Sequence, residues 1–393
     1  MARELRAGVV GTGFIGVVHV EALRRLGVEV LGVVGSSPER AAEKAREAGL
    51  PDPYPSFEAL LADERVDVVH ITSPNDLHFD QSRAALAAGK HVVCEKPLAM
   101  DSAQTGELLD LARRSGLVHA VNFNIRFYPH CQEAAARVAA GELGDLHLIS
   151  GGYLQDWLLY ETDWNWRLDP ERGGALRAVG DIGSHWLDLM TFVTGSRVEA
   201  VMAELATVVP IRREPTGPVE SFAGVGAAPT ETIERRLDTE DLAGMLLRFE
   251  NGARGVVAVS QVSAGRKNSL SFEVDGAGGA LAWYSERPEE LWLGHRNRPN
   301  ELLTRDPSLM HPSAAATTAL PAGHVEGFAD TFKELYRAVY RAVAAGAPPE
   351  RPDYPTFADG HDEALIADAV ATSAREGRWV EVDRSATIEE VSA

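Results

Sequence analysis

The segment GDIGSHWLDLM, residues 180–190, places titratable side chains at a regular spacing. Asp181 and His185 are four residues apart, and Asp188 follows three residues later. In a helix, residues three and four apart lie on the same face, so these side chains would form one stripe. An imidazole can take a proton from a hydroxyl, since the reference pKa of histidine, about 6.5, lies near working pH. A buried structural network is the alternative that this segment alone leaves open.

A second reactive group lies in CEKPLAM, residues 94–100, where an apolar run ends. Pro97 disfavours a helical conformation at Lys96, so the lysine is predicted to project from the carboxyl end of a strand. An amine at that position can hydrogen-bond a reacting oxygen and help to move a proton. A solvated lysine at a strand end is the alternative.

The sequence GTGFIG directly follows the first apolar run and has the spacing of a dinucleotide-binding turn. Gly11 permits a tight turn, Gly13 lets the backbone approach a pyrophosphate, and Gly16 allows a helix to pack closely on a strand. Phe14 and Ile15 complete the predicted contact segment, where the helix offers its N–H groups to an anion. The segment therefore predicts a nucleotide site.

The choice between the two dinucleotides depends on the end of the second predicted strand, VVGSSPER. An NAD site usually has an acidic residue there, whereas this sequence has Ser36 and Ser37, with Arg40 just beyond. Hydroxyls and a guanidinium suit a 2′-phosphate, which favours NADP(H) over NAD(H). Alternatively, Ser37 caps the next helix, with Pro38 at its first position and Arg40 in solvent.

Further polar residues follow two later strands, at the edge where open α/β sheets bind ligands. The residues predicted to contact the cofactor there are Ser73, Pro74, Asn75 and His78 after one strand, and Glu95 and Lys96 after the next. Asn75 can instead cap the helix that follows it.

The order of elements predicts two domains. Residues 1–125 alternate short β-branched runs with helical patterns, which is typical of βαβ units and predicts an α/β Rossmann domain with a parallel sheet. In residues 126–393, strand patterns follow one another with a helix at 184–194, which predicts an α+β domain with a large, mostly antiparallel sheet. The stretches 210–236 and 297–323 are rich in proline and glycine and are predicted to be long loops.

Composition and charge disfavour several classes of partner. The 393 residues carry a formal charge of −20, whereas a nucleic acid or an anionic membrane needs a clustered basic surface. The two cysteines, Cys94 and Cys131, stand in no metal-ligand or disulfide pattern, so no metal is expected. No signal peptide and no apolar run of about 18 residues is recognised, so the chain is expected in the cytoplasm.

The motifs together resemble one enzyme family. The glycine turn after the first strand, then Glu95-Lys96-Pro97, then the D-x-G-x-H-x-x-D pattern at 181–188 are similar to the glucose–fructose oxidoreductase/inositol dehydrogenase family. The resemblance covers essentially the whole chain, including the change from a Rossmann half to a sheet-bearing half. GYLQDW, residues 152–157, resembles members that act on sugars or anhydrosugars.

The resemblance implies an NAD(P)-dependent oxidoreductase that acts on a secondary hydroxyl, or the matching ketone, of a sugar, cyclitol or glycoside. His185 would accept the hydroxyl proton while hydride passes to the nicotinamide. Asp181 would contact the substrate hydroxyl or orient the imidazole, and Lys96 would hydrogen-bond the reacting oxygen. The cofactor carries the hydride chemistry, and the protein supplies geometry and a proton path.

A carbohydrate site is also predicted by the residues around the motif. Four of the seven tryptophans fall in residues 157–186, and tryptophan faces suit sugar rings while charged groups bind hydroxyls. For any one tryptophan, packing in a core or at a sheet edge is the alternative. The residues predicted to contact the substrate are Asn124, Arg126, Tyr153, Asp156, Trp157, Trp166, Arg167, Asp181, His185 and His324.

Two other functions stay open at this level. Some members of the family transiently oxidise a sugar with a tightly held NAD so that a glycosidic bond is eliminated, which makes an oxidoreductive glycosidase the alternative. A nucleotide-sensing regulator is the third, although a sensor has no need of Lys96, Asp181 and His185 together. The broad second sheet predicts an open apolar face, and hence a homodimer or homotetramer.

Overall fold

The computed structural model describes residues 4–47, 49–217 and 231–385. In chain order, the strands are β1 Arg6–Val10, β2 Glu29–Val34, β3 Val68–Ile71, β4 His91–Cys94, β5 His119–Val121, β6 Leu146–Leu154, β7 Val198–Ala206, β8 Ile211–Pro215, β9 Thr232–Arg236, β10 Leu242–Phe249, β11 Arg254–Ser260, β12 Ser269–Gly276, β13 Ala280–Tyr284, β14 Glu290–Gly294, β15 Glu301–Thr304 and β16 Val380–Glu381. The helices are α1 Phe14–Arg25, α2 Pro38–Glu47, α3 Phe57–Ala62, α4 His78–Ala87, α5 Ser102–Ser115, α6 Pro129–Ala139, α7 Pro170–Gly173, α8 Ser184–Thr194, α9 Pro312–Ala315, α10 Phe328–Ala345 and α11 Phe357–Glu376. None of these described helices is both long and apolar enough to cross a membrane.

The chain forms two units. The first contains the residues up to Phe127 together with Phe328–Ala364, and the second contains Tyr128–Gly327 together with the residues from Leu365 onward. Helix α11 therefore begins in the first unit and ends in the second.

The first unit is built on a parallel sheet with the strand order β2-β1-β3-β4-β5. Every residue of β3, and all but the first of β1, is buried. Strands buried in this way need cover on both faces, which explains their continuous apolar runs. The predicted Rossmann half is confirmed.

Helix α10 belongs to this first unit although the whole second sheet precedes it in the chain. Its apolar stripe, which includes Phe332, Leu335 and Val339, lies in one buried cluster with Val20 and Leu23 of α1. The predicted domain division at residue 125 does not anticipate this return of the chain. Hydrophobic periodicity identifies a helix, but it does not tell which sheet the helix covers.

The second unit is built on a large sheet with the order β15-β14-β13-β12-β6-β11-β10-β7-β16. All of these neighbours are antiparallel except β6 and β11, which run parallel. Buried and exposed residues alternate along β10 and β11, which is typical of a sheet that is covered on one face only. Helices α6 and α8 pack on each other, with α6 against β13 and β14 and α8 against β6. The predicted α+β half with a mostly antiparallel sheet is confirmed.

The other face of this sheet carries exposed apolar side chains. Leu246 and Val256, directly opposite each other on β10 and β11, are each 47% exposed. Leu148, Tyr284 and Leu302 point to the same face and are also exposed. An apolar face of this kind is typical of an interaction surface.

Two stretches predicted as loops contain strands. The first of them, 210–236, holds the hairpin of β8 and β9, and the second, 297–323, holds β15. Residues 218–230 of the first stretch lie outside the described residues. Strands β9 and β15 have no fully buried residue, so they lack the apolar runs by which a strand is recognised in a sequence.

Candidate functional site

In the glycine turn between β1 and α1, each glycine is explained by a different observation. Gly11 has φ of 110°, which L side chains rarely adopt, and a Cβ there would lie 2.4 Å from Thr72 Oγ1. A Cβ on Gly16 would lie 2.2 Å from the Gly11 carbonyl oxygen. A Cβ on Gly13 would meet no described protein atom within 4 Å. Protein packing therefore explains Gly11 and Gly16, whereas the space beside Gly13 suits a ligand.

The start of α1 is suited to an anion. The helix has no side-chain cap at Gly13 and no acidic residue in its first turn, so its N-terminal dipole is not neutralised there. Phe14 is 54% exposed, while Ile15 packs against the buried cluster. Thr72, which the sequence did not single out, supports the turn: its N–H and its Oγ1 donate to the Val10 carbonyl at 2.7 and 2.8 Å.

Alanine at Gly13 and alanine at Gly16 are expected to act differently. Gly13 has extended backbone angles that alanine can adopt, so Gly13→Ala should change the free energy of unfolding by less than about 0.5 kcal/mol. The added methyl group should weaken nucleotide binding by roughly tenfold, because it enters the space of the pyrophosphate. Gly16→Ala should destabilise the fold by about 1–3 kcal/mol, because the helix must move away from the turn. Thermal unfolding and nucleotide titration measure both quantities, and equal losses of stability would contradict this assignment.

The end of β2 supports the capping alternative for Ser37. Helix α2 begins at Pro38, and Ser37 Oγ accepts a hydrogen bond of 3.2 Å from the Arg40 N–H. The side chains of Ser36 and Arg40 are exposed. Their contact with a 2′-phosphate stays a prediction.

The segment after β3 is tied to the segment after β4 by His78. This residue is buried, and its Nδ1 and Nε2 lie 2.7 Å from the Pro97 carbonyl oxygen and 2.9 Å from that of Ser73. Burial lowers the pKa of the His78 imidazole. Pro74 is half-buried and Asn75 is buried between these segments. His78 thus shapes the loop from inside, and direct contact of these residues with a cofactor stays a prediction.

Glu95 and Lys96 occupy the carboxyl end of β4 in different ways. The Glu95 carboxylate is buried, accepts hydrogen bonds from Asn122 Nδ2 and the Lys96 N–H, and lies 3.1 Å from His19 Nε2. Lys96 is half-buried and directly follows it. Of the pair, Lys96 is the better placed to meet a ligand, because Glu95 is held by the interior of the unit.

Asn124 and Arg126 follow β5 and are both anchored within the first unit. Asn124 Nδ2 donates to Thr331 Oγ1 at 2.7 Å, and Arg126 Nη2 donates to Asp359 Oδ1 at 2.8 Å. Burial is the largest influence on the pKa of Asp359 and would raise it, but the Arg126 charge and the hydrogen bonds from Arg126 and Thr356 together hold that pKa below its usual value. Both side chains join the turn after β5 to α10 and α11, and their contact with substrate stays a prediction.

In the second unit, the segment 180–190 begins in a short π-helix and continues as an α-helix. Asp181 lies in the short π-helix Val179–Gly183, which continues directly into α8, the helix that carries His185. Such short π-helices are frequent at functional sites. Glu240 is buried beside the π-helix and accepts the Val179 N–H at 2.9 Å. Asp188 is 2% exposed, whereas Asp181 and His185 are half-buried and therefore more accessible.

The Asp181 carboxylate is held by a donor on each oxygen. Arg167 Nε donates to Oδ1 at 3.1 Å, and Gln261 Nε2 donates to Oδ2 at 2.8 Å. Arg167 is itself held by Asn165 Oδ1, and its guanidinium lies 4.4 Å from the centre of the Trp166 ring. The result is a fixed carboxylate beside a guanidinium and an aromatic face.

The parallel pairing of β6 and β11 explains why these groups meet. Parallel strands end at the same edge, so Gln155 and Gln261 both follow the carboxyl ends of their strands there. Tyr153 donates from its hydroxyl to Asn268 Oδ1 at 2.5 Å, and its ring centroid lies 6.3 Å from that of His185. Burial raises the pKa of the Tyr153 phenol above its usual value. This edge therefore places Tyr153, Asp181 and His185 in one polar cluster.

Of three other predicted residues in the second unit, two have side-chain partners and one is exposed. Asp156 Oδ2 accepts from Lys267 Nζ at 2.7 Å, and this ion pair lowers the pKa of the Asp156 carboxyl. Trp157 Nε1 donates to Gln155 Oε1 at 2.7 Å. His324 is exposed on a turn. Contact of these three with substrate stays a prediction.

A buried charge cluster supports Asp181 through Gln261, and no sequence pattern indicated the central residue of this cluster. Asp241 is fully buried, and its Oδ1 accepts hydrogen bonds from Arg177 and Arg212. Arg177 also reaches Gln261 Oε1 at 3.4 Å, and Gln261 holds Asp181. Asp241 comes next to Gln261 only through the register of β10 on β11, which no local pattern reveals.

Models of known protein families match both halves of the chain. Residues 5–123 match the model described as an oxidoreductase family with an NAD-binding Rossmann fold, and residues 131–282 match the GFO/IDH/MocA C-terminal domain.

Named relatives and solved structures extend this similarity over nearly the whole chain. Levoglucosan dehydrogenase from Pseudarthrobacter phenanthrenivorans is 31% identical over 97% of this chain and 98% of that protein. D-xylose 1-dehydrogenase (NADP(+)) 2 from Haloferax volcanii is 29% identical over 68% of this chain and 81% of that protein. A structure of levoglucosan dehydrogenase in complex with NADH and levoglucosan has a TM-score of 0.85 at 29% identity, and covers 97% of this chain and 100% of that one. With its Rossmann half and its sheet-bearing second half, this chain belongs to the glucose–fructose oxidoreductase/inositol dehydrogenase family of oxidoreductases.

Proposed function

We propose that this enzyme transfers hydride between a nicotinamide cofactor and a secondary hydroxyl, or the matching ketone, of a sugar, cyclitol or glycoside. The observation that carries the proposal is the Asp181 carboxylate, fixed by Arg167 and Gln261 on the same polar edge as His185. Carboxylate and guanidinium groups recognise vicinal hydroxyls, and the Trp166 face suits a sugar ring. The relatives named above, which are dehydrogenases of sugars or an anhydrosugar, support this substrate class.

The proposed roles follow from the chemistry of each side chain. The nicotinamide supplies the hydride acceptor or donor when it is bound. His185 takes the proton of the carbinol, because a neutral imidazole has a lone pair for it. Asp181 accepts a hydrogen bond from the substrate hydroxyl, and Lys96 donates one to the reacting oxygen. Joint action of Lys96 with the other two residues is part of the proposal.

For the nucleotide, we propose that both forms bind and that NADP(H) is preferred. No carboxylate stands directly at the end of β2, where Ser36 and Ser37 follow Gly35, and Arg40 lies exposed nearby. The capping bond of Ser37 leaves Ser36 and Arg40 as the proposed contacts of a 2′-phosphate. Both nucleotides occur among the similar proteins, since one relative carries NADP(+) in its name and one solved structure contains NADH.

For the assembly, we propose a homodimer or homotetramer that covers the open face of the second sheet. The exposed apolar side chains there, Leu246 and Val256 among them, support this assignment. Light scattering in solution would then give two or four times the mass of one chain, and the mass of a single chain would exclude it.

The assay that tests the activity uses NAD⁺ or NADP⁺ with a panel of cyclitols, aldoses, glycosides and an anhydrosugar. We expect the absorbance band of reduced nicotinamide to rise with at least one sugar, and kcat/KM to be higher with NADP⁺. Release of free sugar from a glycoside without that rise would instead indicate the oxidoreductive glycosidase, which no observation here favours. Absence of both with the whole panel would contradict the proposed activity.

A further inference from the structure

The first unit contains a buried chain of hydrogen-bonding side chains that the proposed chemistry does not use. His19 on α1, His70 on β3 and Tyr340 on α10 are each at most 7% exposed. His19 Nε2 lies 3.1 Å from Glu95 Oε1, and the Nδ1 atoms of His19 and His70 are 3.1 Å apart. His70 Nε2 lies 3.1 Å from the Tyr340 hydroxyl. The chain therefore runs from α10 to the residue next to Lys96.

The chemistry of the Glu95 end determines where the protons lie. The Glu95 carboxylate already accepts from Asn122 Nδ2 and from the Lys96 N–H, so it also acts as the acceptor for His19. His19 then carries its proton on Nε2 and offers a lone pair at Nδ1. His70 must donate from Nδ1, which leaves its Nε2 to accept the hydroxyl proton of Tyr340. Every donor thus points toward Glu95.

Burial keeps this arrangement unique. A contact between two Nδ1 atoms has room for one proton only, because a second proton there would repel the first. Desolvation holds the pKa of His70 well below its usual value, so its ring stays neutral at ordinary pH. The Tyr340 hydroxyl, which donates to His70 Nε2 in this arrangement, completes the chain of donors at its α10 end.

We propose that Glu95 and the Tyr340 hydroxyl, at the two ends of this chain, together hold His70 and His19 in one pair of tautomers, and that these rings in turn keep Glu95 in place beside the backbone of Lys96 and so position Lys96. This inference rests on the proposed function, because Lys96 has a reaction to serve only in a dehydrogenase. His19, His70 and Tyr340 are positioning residues, since they act through Glu95.

Tyr336 provides a matched control on the same helix, one turn before Tyr340. Its ring packs against the same two histidines, with centroid distances of 5.1 Å to His19 and 4.8 Å to His70. Its hydroxyl has no hydrogen-bond partner among the described residues. Tyr→Phe at either position removes one buried oxygen, but only the change at Tyr340 removes a hydrogen bond to the chain.

NMR of the ring nitrogens in the full chain tests the tautomers without any substrate. We expect a proton on Nε2 of His19 and on Nδ1 of His70, with the signals identified by their loss in His19→Gln and His70→Gln. In Tyr340→Phe the shifts of both rings should move, and in Tyr336→Phe neither should. Opposite tautomers in the wild type, which needs no variant to fold, would overturn the proposal, as would an unmoved His19 in Tyr340→Phe.

Steady-state kinetics tests the link to Lys96. Tyr340→Phe is expected to lower kcat by about tenfold, the order of effect seen when an outer hydrogen-bond partner of a site is removed. The substrate KM should stay unchanged, and Tyr336→Phe should keep the wild-type kcat. Equal kcat for both variants of an active enzyme would overturn the positioning role. If the wild type oxidises no sugar, that role fails together with the proposed function, and the NMR result distinguishes this failure from a wrong assignment of tautomers.

Discussion

Replacing His185 with asparagine is expected to lower kcat for sugar oxidation by about 10²–10⁴-fold, the range for loss of a general base. Asparagine keeps a polar side chain at the position, but it has no basic nitrogen to take the carbinol proton as hydride leaves. The Kd for the nucleotide should not change, because the glycine turn belongs to the other unit. Kinetics with saturating nucleotide, together with a fluorescence titration of the nucleotide, measures both quantities.

The control for this change is His147→Asn. His147 is exposed on β6 of the same unit, so its loss removes an imidazole without touching the polar cluster. We expect wild-type kcat and Kd for this variant. If His185→Asn weakened nucleotide binding as much as it lowered kcat, His185 would be a folding or cofactor residue.

Lys96→Met shows whether the lysine serves the same step. The single change should also abolish most turnover while leaving nucleotide binding nearly intact. If Lys96 and His185 assist one proton transfer, the double variant should be little slower than either single variant, because residues that act as a unit are strongly non-additive. Independent, multiplying losses would show that they serve separate steps.

The parts of the site that the sequence predicts well depend on local chain geometry. The spacing of the glycine turn is set by steric contacts within one strand–turn–helix unit, and the structure shows those contacts at Gly11 and Gly16. The helix expected at 184–194 is α8, because its apolar side chains recur at helical spacing. Both features are complete within a short segment.

The features of the site that the sequence does not predict are hydrogen bonds to residues distant in the chain. Asn124, Arg126 and Glu95 stand where ligand-binding residues are expected, and the structure also gives them interior partners, Thr331, Asp359 and His19, which the sequence did not predict. A polar residue after a strand looks the same in sequence whether a ligand or a later helix binds it. The interior partners of Asn124 and Arg126 lie on α10 and α11, and the return of these helices to the first unit has no local signal.

The buried charge cluster that supports Asp181 escapes prediction for a related reason. Its central carboxylate, Asp241, lies in a stretch of charged and polar residues that usually indicates a solvated turn. Its burial follows from the pairing of β10 with β7 and β11, and from the approach of Arg177 and Arg212. Buried ion clusters of this kind are visible only in three dimensions.

Asp241→Asn is expected to lower the free energy of unfolding by about 3–5 kcal/mol, the usual effect of removing one partner of a buried ion pair. Two guanidinium groups, those of Arg177 and Arg212, would keep their charge in the interior without a carboxylate, although asparagine nearly matches aspartate in volume. Denaturant unfolding measures the loss. Asp238→Asn removes the same charge from an exposed position three residues earlier, and its effect should stay within about 0.5 kcal/mol.

The pH dependence of this difference provides a second, independent test. Burial is the largest influence on the pKa of Asp241 and would raise it, but the Arg177 and Arg212 charges and the hydrogen bonds from Val209 and Arg177 together hold the pKa below its usual value. A carboxyl with a lowered pKa stabilises the fold fully above its unfolded pKa of about 3.9, and that contribution is lost as the pH falls through the folded value. The advantage of the wild type over Asp241→Asn should therefore be constant from neutral pH down to about pH 5 and should shrink in stronger acid. An advantage that is unchanged in acid, or a loss no larger than that of Asp238→Asn, would mean that Asp241 does not carry the charge that holds this cluster together.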